Sequence, residues 1–108
     1  MNLKDKKCIP CEGGVEPLRA EQVQEFVQQI PAWTVTDDNK KISRTWLFPD
    51  FITAMKFINT VADIAETEGH HPDISVSYNR VTIELYTHSI GGLSENDFIV
   101  ASKIDEVR

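Results

Sequence analysis

The sequence predicts an α+β domain, a four-stranded antiparallel sheet with three helices on one face in the order α-β-β-α-β-β-α. Three observations predict it. Two pairs of short alternating segments are each closed by a turn, a long apolar-striped segment separates the pairs, and a helical pattern flanks them at either end.

Residues 1–16 contain Pro10, Gly13 and Gly14 without periodicity and read as an irregular N-terminal arm, which leaves 17–108 as the folded domain. Pro17 suits a first helical position. Val23, Phe26, Val27 and Ile30 then recur at helical spacing up to Pro31, whose ring pushes the preceding residue out of the α region. Residues 33–36 look extended, Asp37-Asp38-Asn39-Lys40 forms a polar turn, and 42–48 resumes as a strand with Ile42, Arg44 and Trp46 on one face. Asp50, after Pro49, is placed to cap the longest helix. Its apolar stripe runs through Phe51, Ala54, Met55, Ile58, Val61, Ala62 and Ala65, and Gly69 ends it. Two more strands, 73–78 and 81–87, alternate Ile74, Val76, Tyr78 and Val81, Ile83, Leu85 against polar neighbours, with Asn79-Arg80 as a tight connection. After a glycine-bearing loop over 89–93, Ser94 and Asp97 have capping-box spacing, and Val100, Ala101 and Ile104 continue a stripe that includes Asp97.

A chain of 108 residues has room for one core. No apolar run reaches the roughly 18 residues that would span a bilayer, and the polar start, residues 1–7, lacks a secretory pattern, so a cytoplasmic location is expected. A net charge of −6 argues against a general nucleic-acid surface. The two cysteines, Cys8 and Cys11, form one Cys-x-x-Cys, half of what a tetrahedral zinc site requires, and are expected to be exposed thiols on the arm.

The chemistry concentrates at one place. All three histidines lie between positions 70 and 88. His70 and His71 follow the long helix directly, Pro72 stiffens the backbone behind them, and His88 ends the last strand. Glu66 stands one turn before His70, and Asp97 opens the final helix. A helix C-terminus, a strand end and a helix N-terminus can converge on one rim of a sheet. Imidazole titrates near pH 6.5, and an adjacent carboxylate favours its protonated form and fixes its tautomer, so such a rim would move protons near neutrality. Two histidines and a carboxylate can also hold iron or zinc, although adjacent side chains in an extended segment diverge.

The run Glu66-x-x-x-His70-His71-Pro72, followed by Tyr78, His88 and Asp97, resembles the signature of the pterin-4a-carbinolamine dehydratases, and Trp33 and Phe48-Pro49-Asp50-Phe51 extend the likeness over residues 18–107. The resemblance implies dehydration of 4a-hydroxytetrahydrobiopterin, or a close pterin, to the quinonoid dihydropterin without metal or other cofactor. The product would feed tetrahydropterin recycling for an aromatic amino-acid hydroxylase. It implies a homodimer or homotetramer, or, as an alternative role, a dimerisation cofactor for a transcription factor. Catalytic roles fall to His70, His71 and His88, with Glu66, Trp33, Thr87 and Asp97 as pocket residues. On chemical grounds His70 and His88 form the acid–base pair and His71 orients the substrate. Asn96 stands where several family members have arginine, and the resemblance assigns the arm no function.

Overall fold

The computed structural model describes residues 3–8 and 16–108; Cys11, and so the Cys-x-x-Cys reading, lies outside them. Helices α1 (Ala20–Val27), α2 (Phe51–Glu68) and α3 (Glu95–Val107) accompany strands β1 (Thr34–Thr36), β2 (Lys41–Leu47), β3 (Asp73–Ser77) and β4 (Arg80–Leu85). The sheet order is β1-β2-β4-β3, antiparallel throughout. The expected α-β-β-α-β-β-α order and α+β architecture are therefore what the chain adopts, with α1 starting three residues beyond Pro17.

The turn chemistry works as its residues dictate. Asp37, Asp38 and Asn39 all take positive φ between β1 and β2, a region that short polar side chains tolerate better than most. In the second hairpin Ser77 pairs with Arg80, so the two-residue turn is Tyr78-Asn79 rather than Asn79-Arg80. That shift keeps Ile74 opposite Ile83 and Val76 opposite Val81, because a one-residue slip would turn one strand's apolar set to the wrong face. Asn79 holds the corner by donating from Nδ2 to the Phe48 carbonyl at 2.8 Å, while Phe48 N–H donates to the Asn79 carbonyl at 2.9 Å.

Ile42, Trp46, Val81, Ile83 and Leu85 fill the covered face of the sheet, against Phe98, Val100, Ala101 and Ile104 of α3 and Val61 of α2, all buried. Arg44 is on the same face, as its parity requires, and pairs with Asp105 of α3 at 2.6 Å while stacking over Trp46. The buried side of α2 is Ala54, Phe57, Val61 and Ala65. Phe51 and Ala62, expected in the stripe, face outward, because the Trp46–Phe57–Phe48 ring cluster turns Phe57 inward. Among the described arm residues, Leu3–Asp5 forms a 3-10 turn and Leu3 is buried in the core. No described helix is long and apolar enough to cross a membrane.

Candidate active site

The C-terminal end of α2 sets the first part of the site. Asp50 caps the helix start by accepting from Thr53 N–H at 2.8 Å. At the other end Gly69 adopts φ +67°, a left-handed turn that a Cβ would strain. The reversal at Gly69 sends His70 and His71 off the helix axis at once. Their rings diverge, as expected of neighbours in extended chain. His70 Nε2 lies 2.6 Å from Asp97 Oδ1, and His71 Nε2 lies 2.7 Å from Glu66 Oε1. The first pair is sheltered, with 13% of the His70 side chain and none of Asp97 exposed, whereas the second is open to solvent.

Asp97 is the polar centre. Its Oδ2 accepts from Thr87 Oγ1 at 2.8 Å and from Ser94 N–H at 2.9 Å, and the Ser94 and Thr87 hydroxyls are 2.7 Å apart. The carboxylate thus caps the start of α3, where the helix dipole favours negative charge, and also grips His70. Its two oxygens divide the contacts: Oδ2 takes the helix cap and Oδ1 meets His70. A carboxylate at Nε2 fixes that nitrogen as the N–H of a neutral ring and leaves Nδ1 as the basic atom.

The strand end and the following loop supply the rest. Gly92 N–H and C=O bridge to Thr87 across the 88–91 turn, with Thr87 N–H donating to the Gly92 carbonyl at 2.8 Å. A Cβ on Gly92 would stand 2.8 Å from Pro17 Cβ, so only glycine lets the arm's exit pack here. The last strand stops at Leu85 rather than 87, and His88 opens a 3-10 turn over His88–Ile90 that brings its ring to 4.1 Å from the Tyr86 ring, centre to centre.

One cavity of about 490 Å³ is lined by His70, His71 and His88 together, with Thr87, Tyr86, Ser89, Gly69, Glu68, Asn96 and Cys8. Of the sequence-derived candidates, this brings the histidines and Thr87 to one surface, with Asp97 behind His70 and Glu66 behind His71. Trp33 is not brought there. Its ring is buried edge-on against Trp46, and Nε1 donates to Asp105 Oδ1 at 2.9 Å. Tyr86 lies two residues before His88 and so was within reach of a local reading, but Glu68 and Cys8 were not, because their contact joins residues 60 apart in sequence.

Cys8 is half-buried rather than exposed. Its N–H donates to Glu68 Oε1 at 2.9 Å, and its Sγ lies 3.6 Å from the Asn96 carbonyl. Burial, and then the negative charge of Glu68, push the thiol up to about 12, so it stays protonated. Burial also pushes the Glu68 carboxyl up, but the bonds from Cys8 N–H and Lys103 together outweigh it and hold the group below the usual carboxylate range. Among the described residues no three His, Cys, Asp or Glu side chains are grouped to hold a metal ion.

Comparison with known proteins points one way. Residues 16–107 match the family model described as pterin 4 alpha carbinolamine dehydratase. A protein of Halorhodospira halophila with the provisional name pterin-4-alpha-carbinolamine dehydratase is 45% identical over 97% of this chain and 96% of its own. One of Nitrosomonas eutropha with the same provisional name is 49% identical over 96% of this chain and 91% of its own. Both alignments leave out less of this chain than the arm contains, so part of the arm belongs to the shared stretch. Among solved structures, a transcriptional coactivator/pterin dehydratase from Brucella melitensis superposes with a TM-score of 0.80 at 34% identity, covering 85% of this chain and 98% of that one. A pterin dehydratase-like RuBisCO assembly factor of the alpha-carboxysome shares the fold at a TM-score of 0.61 and 19% identity, covering 70% of this chain and 88% of that one.

Proposed function

The chain belongs to the pterin 4 alpha carbinolamine dehydratase family, and from that membership we propose that it removes water from 4a-hydroxytetrahydrobiopterin, or a close pterin analogue, in the cavity around His70, His71 and His88. The observation that carries the reading is that three imidazoles line one cavity while the most sheltered of them is fixed by a buried carboxylate. The volume of about 490 Å³ suits a small-molecule site.

Dehydration breaks the C4a–O bond and removes the proton on N5, giving the quinonoid dihydropterin and water. An acid must protonate the departing hydroxyl, and a base must take the N5 proton, so no net proton is consumed. His70 and His88 divide these tasks. Asp97 holds the Nε2–H of His70, which presents the other nitrogen as a base and stabilises the imidazolium once the proton arrives. His88, exposed beside Tyr86, is the acid that meets the hydroxyl. His71, tethered to Glu66, orients the ring. Thr87 acts through Asp97, since its hydroxyl already donates there. Trp33 does not line this cavity, and its indole N–H is committed to Asp105, so no substrate role is proposed for it.

The product would return to the tetrahydro form used by an aromatic amino-acid hydroxylase, in the cytoplasm. A homo-oligomer is also proposed: among the described residues no strand pairs with the outer edge of β3, and Ile74, Val76 and, just past the strand, Tyr78 are exposed. The test of the activity is the decay of chemically generated 4a-hydroxytetrahydropterin with and without the protein. Acceleration in proportion to protein is expected; a decay indifferent to protein sinks the reading.

A further inference from the structure

The proposed reaction uses nothing from the N-terminal arm, yet the arm is fastened along α3 to the rim of the cavity. Leu3 is buried in the core, and its N–H donates to Gln29 Oε1 at 3.2 Å. Lys4 pairs with Glu106 near the end of α3 at 2.9 Å, and Lys6 with Glu95 at its start at 2.5 Å. The line finishes at Cys8, which lines the cavity. There the backbone is held by Glu68, itself bonded to Lys103 at 3.2 Å with only 6% of its side chain exposed, and the thiol meets the Asn96 carbonyl. Cys8 therefore touches the residue two before His70 and the residue one before Asp97, where α2 and α3 come together. A residue held by its backbone N–H on one side and by its thiol on the other has little freedom to swing away from an incoming molecule.

We propose that the arm, through Cys8, forms a fixed wall of the substrate cavity and makes residue 8 a determinant of how large a pterin enters. This rests on the dehydratase reading and deepens it. Cys8 makes no bond to a histidine and takes no part in proton transfer. Its effect is on substrate binding, by the space that its side chain occupies beside Glu68 and Asn96.

The test compares wild-type protein with Cys8→Phe and Cys8→Ala, using 4a-hydroxytetrahydropterins that carry a methyl or a dihydroxypropyl group at C6, with 7,8-dihydrobiopterin titrated calorimetrically as a non-reacting probe. Cys8→Phe should raise KM for the dihydroxypropyl substrate and the Kd of the probe about tenfold or more, with kcat within about threefold of wild type, the pattern of lost ground-state binding. Cys8→Ala should shift the preference, as a ratio of kcat/KM values, toward the larger substrate, and it carries the test if Cys8→Phe does not fold. Active wild-type protein whose KM and preference ignore residue 8, or a kcat that falls while KM stays fixed, overturns the wall. Wild-type protein that neither binds nor dehydrates a pterin overturns the dehydratase reading, and the wall with it.

Discussion

Asp97 shows what one residue can settle. Its spacing from Ser94 marks it as a helix-capping residue in the sequence, but its grip on His70 joins residues 27 apart and becomes visible only in three dimensions. The histidine cluster itself was legible because its members sit at element ends that a four-stranded α+β sheet brings to one rim. Trp33 was legible as an aromatic after the first helix, but not as an indole committed to Asp105, because nothing in local pattern links positions 33 and 105. Replacing Asp97 with Asn keeps the shape and removes the charge. With the amide nitrogen facing Nε2, the ring no longer has a partner that favours its charged form, and dehydration kcat should fall by at least about tenfold. Steady-state assays of Asp97→Asn check this, and Thr87→Val should show a smaller loss in the same assay, since it removes one of the bonds to Asp97.

Among the elements, α2 and the arm differ most from what pattern alone suggested. The stripe on α2 was read from hydrophobicity at helical spacing, which gives the period but not the rotation. Packing of Phe57 against Trp46 and Phe48 decides the rotation and leaves Phe51 outside. The arm carries no periodicity, so its docking by a single buried leucine and a few ion pairs left no trace in the sequence pattern. Leu3→Ala should cost about 2–5 kcal/mol in urea unfolding, the range for a core leucine, whereas a loose tail would tolerate it without change. The Glu68 carboxyl, held below its ordinary range, contributes stability above the unfolded value and loses it as pH falls through the folded one. Wild-type protein should therefore exceed Glu68→Gln in urea midpoint at pH ~6, and the gap should narrow toward pH ~3. A gap constant with pH would mean that the carboxylate's charge is not what holds the arm.

At the scale of the whole molecule, element order and the antiparallel hairpins were legible because each level of the sequence agrees: polar turns, period-two strands and capped helices. The second turn moved by one residue, to keep apolar pairs aligned. Among the described residues nothing covers the edge strand, whose Ile74 is 36% and Val76 42% exposed on the side that the helices should cover. A second copy paired along β3 would remove that edge and bury those side chains. Light scattering of wild-type protein should give a mass above the monomer, and Val76→Lys should lower it toward the monomer; equal masses would place the association elsewhere.

The most direct test of the shared-cavity account is the rate of 4a-hydroxytetrahydropterin dehydration by His70→Ala and His88→Ala, each verified as folded by its thermal midpoint. The account predicts that each loses about 10²–10⁴-fold in kcat, the range for a general acid or base. Two folded variants that both retain the wild-type rate would contradict it.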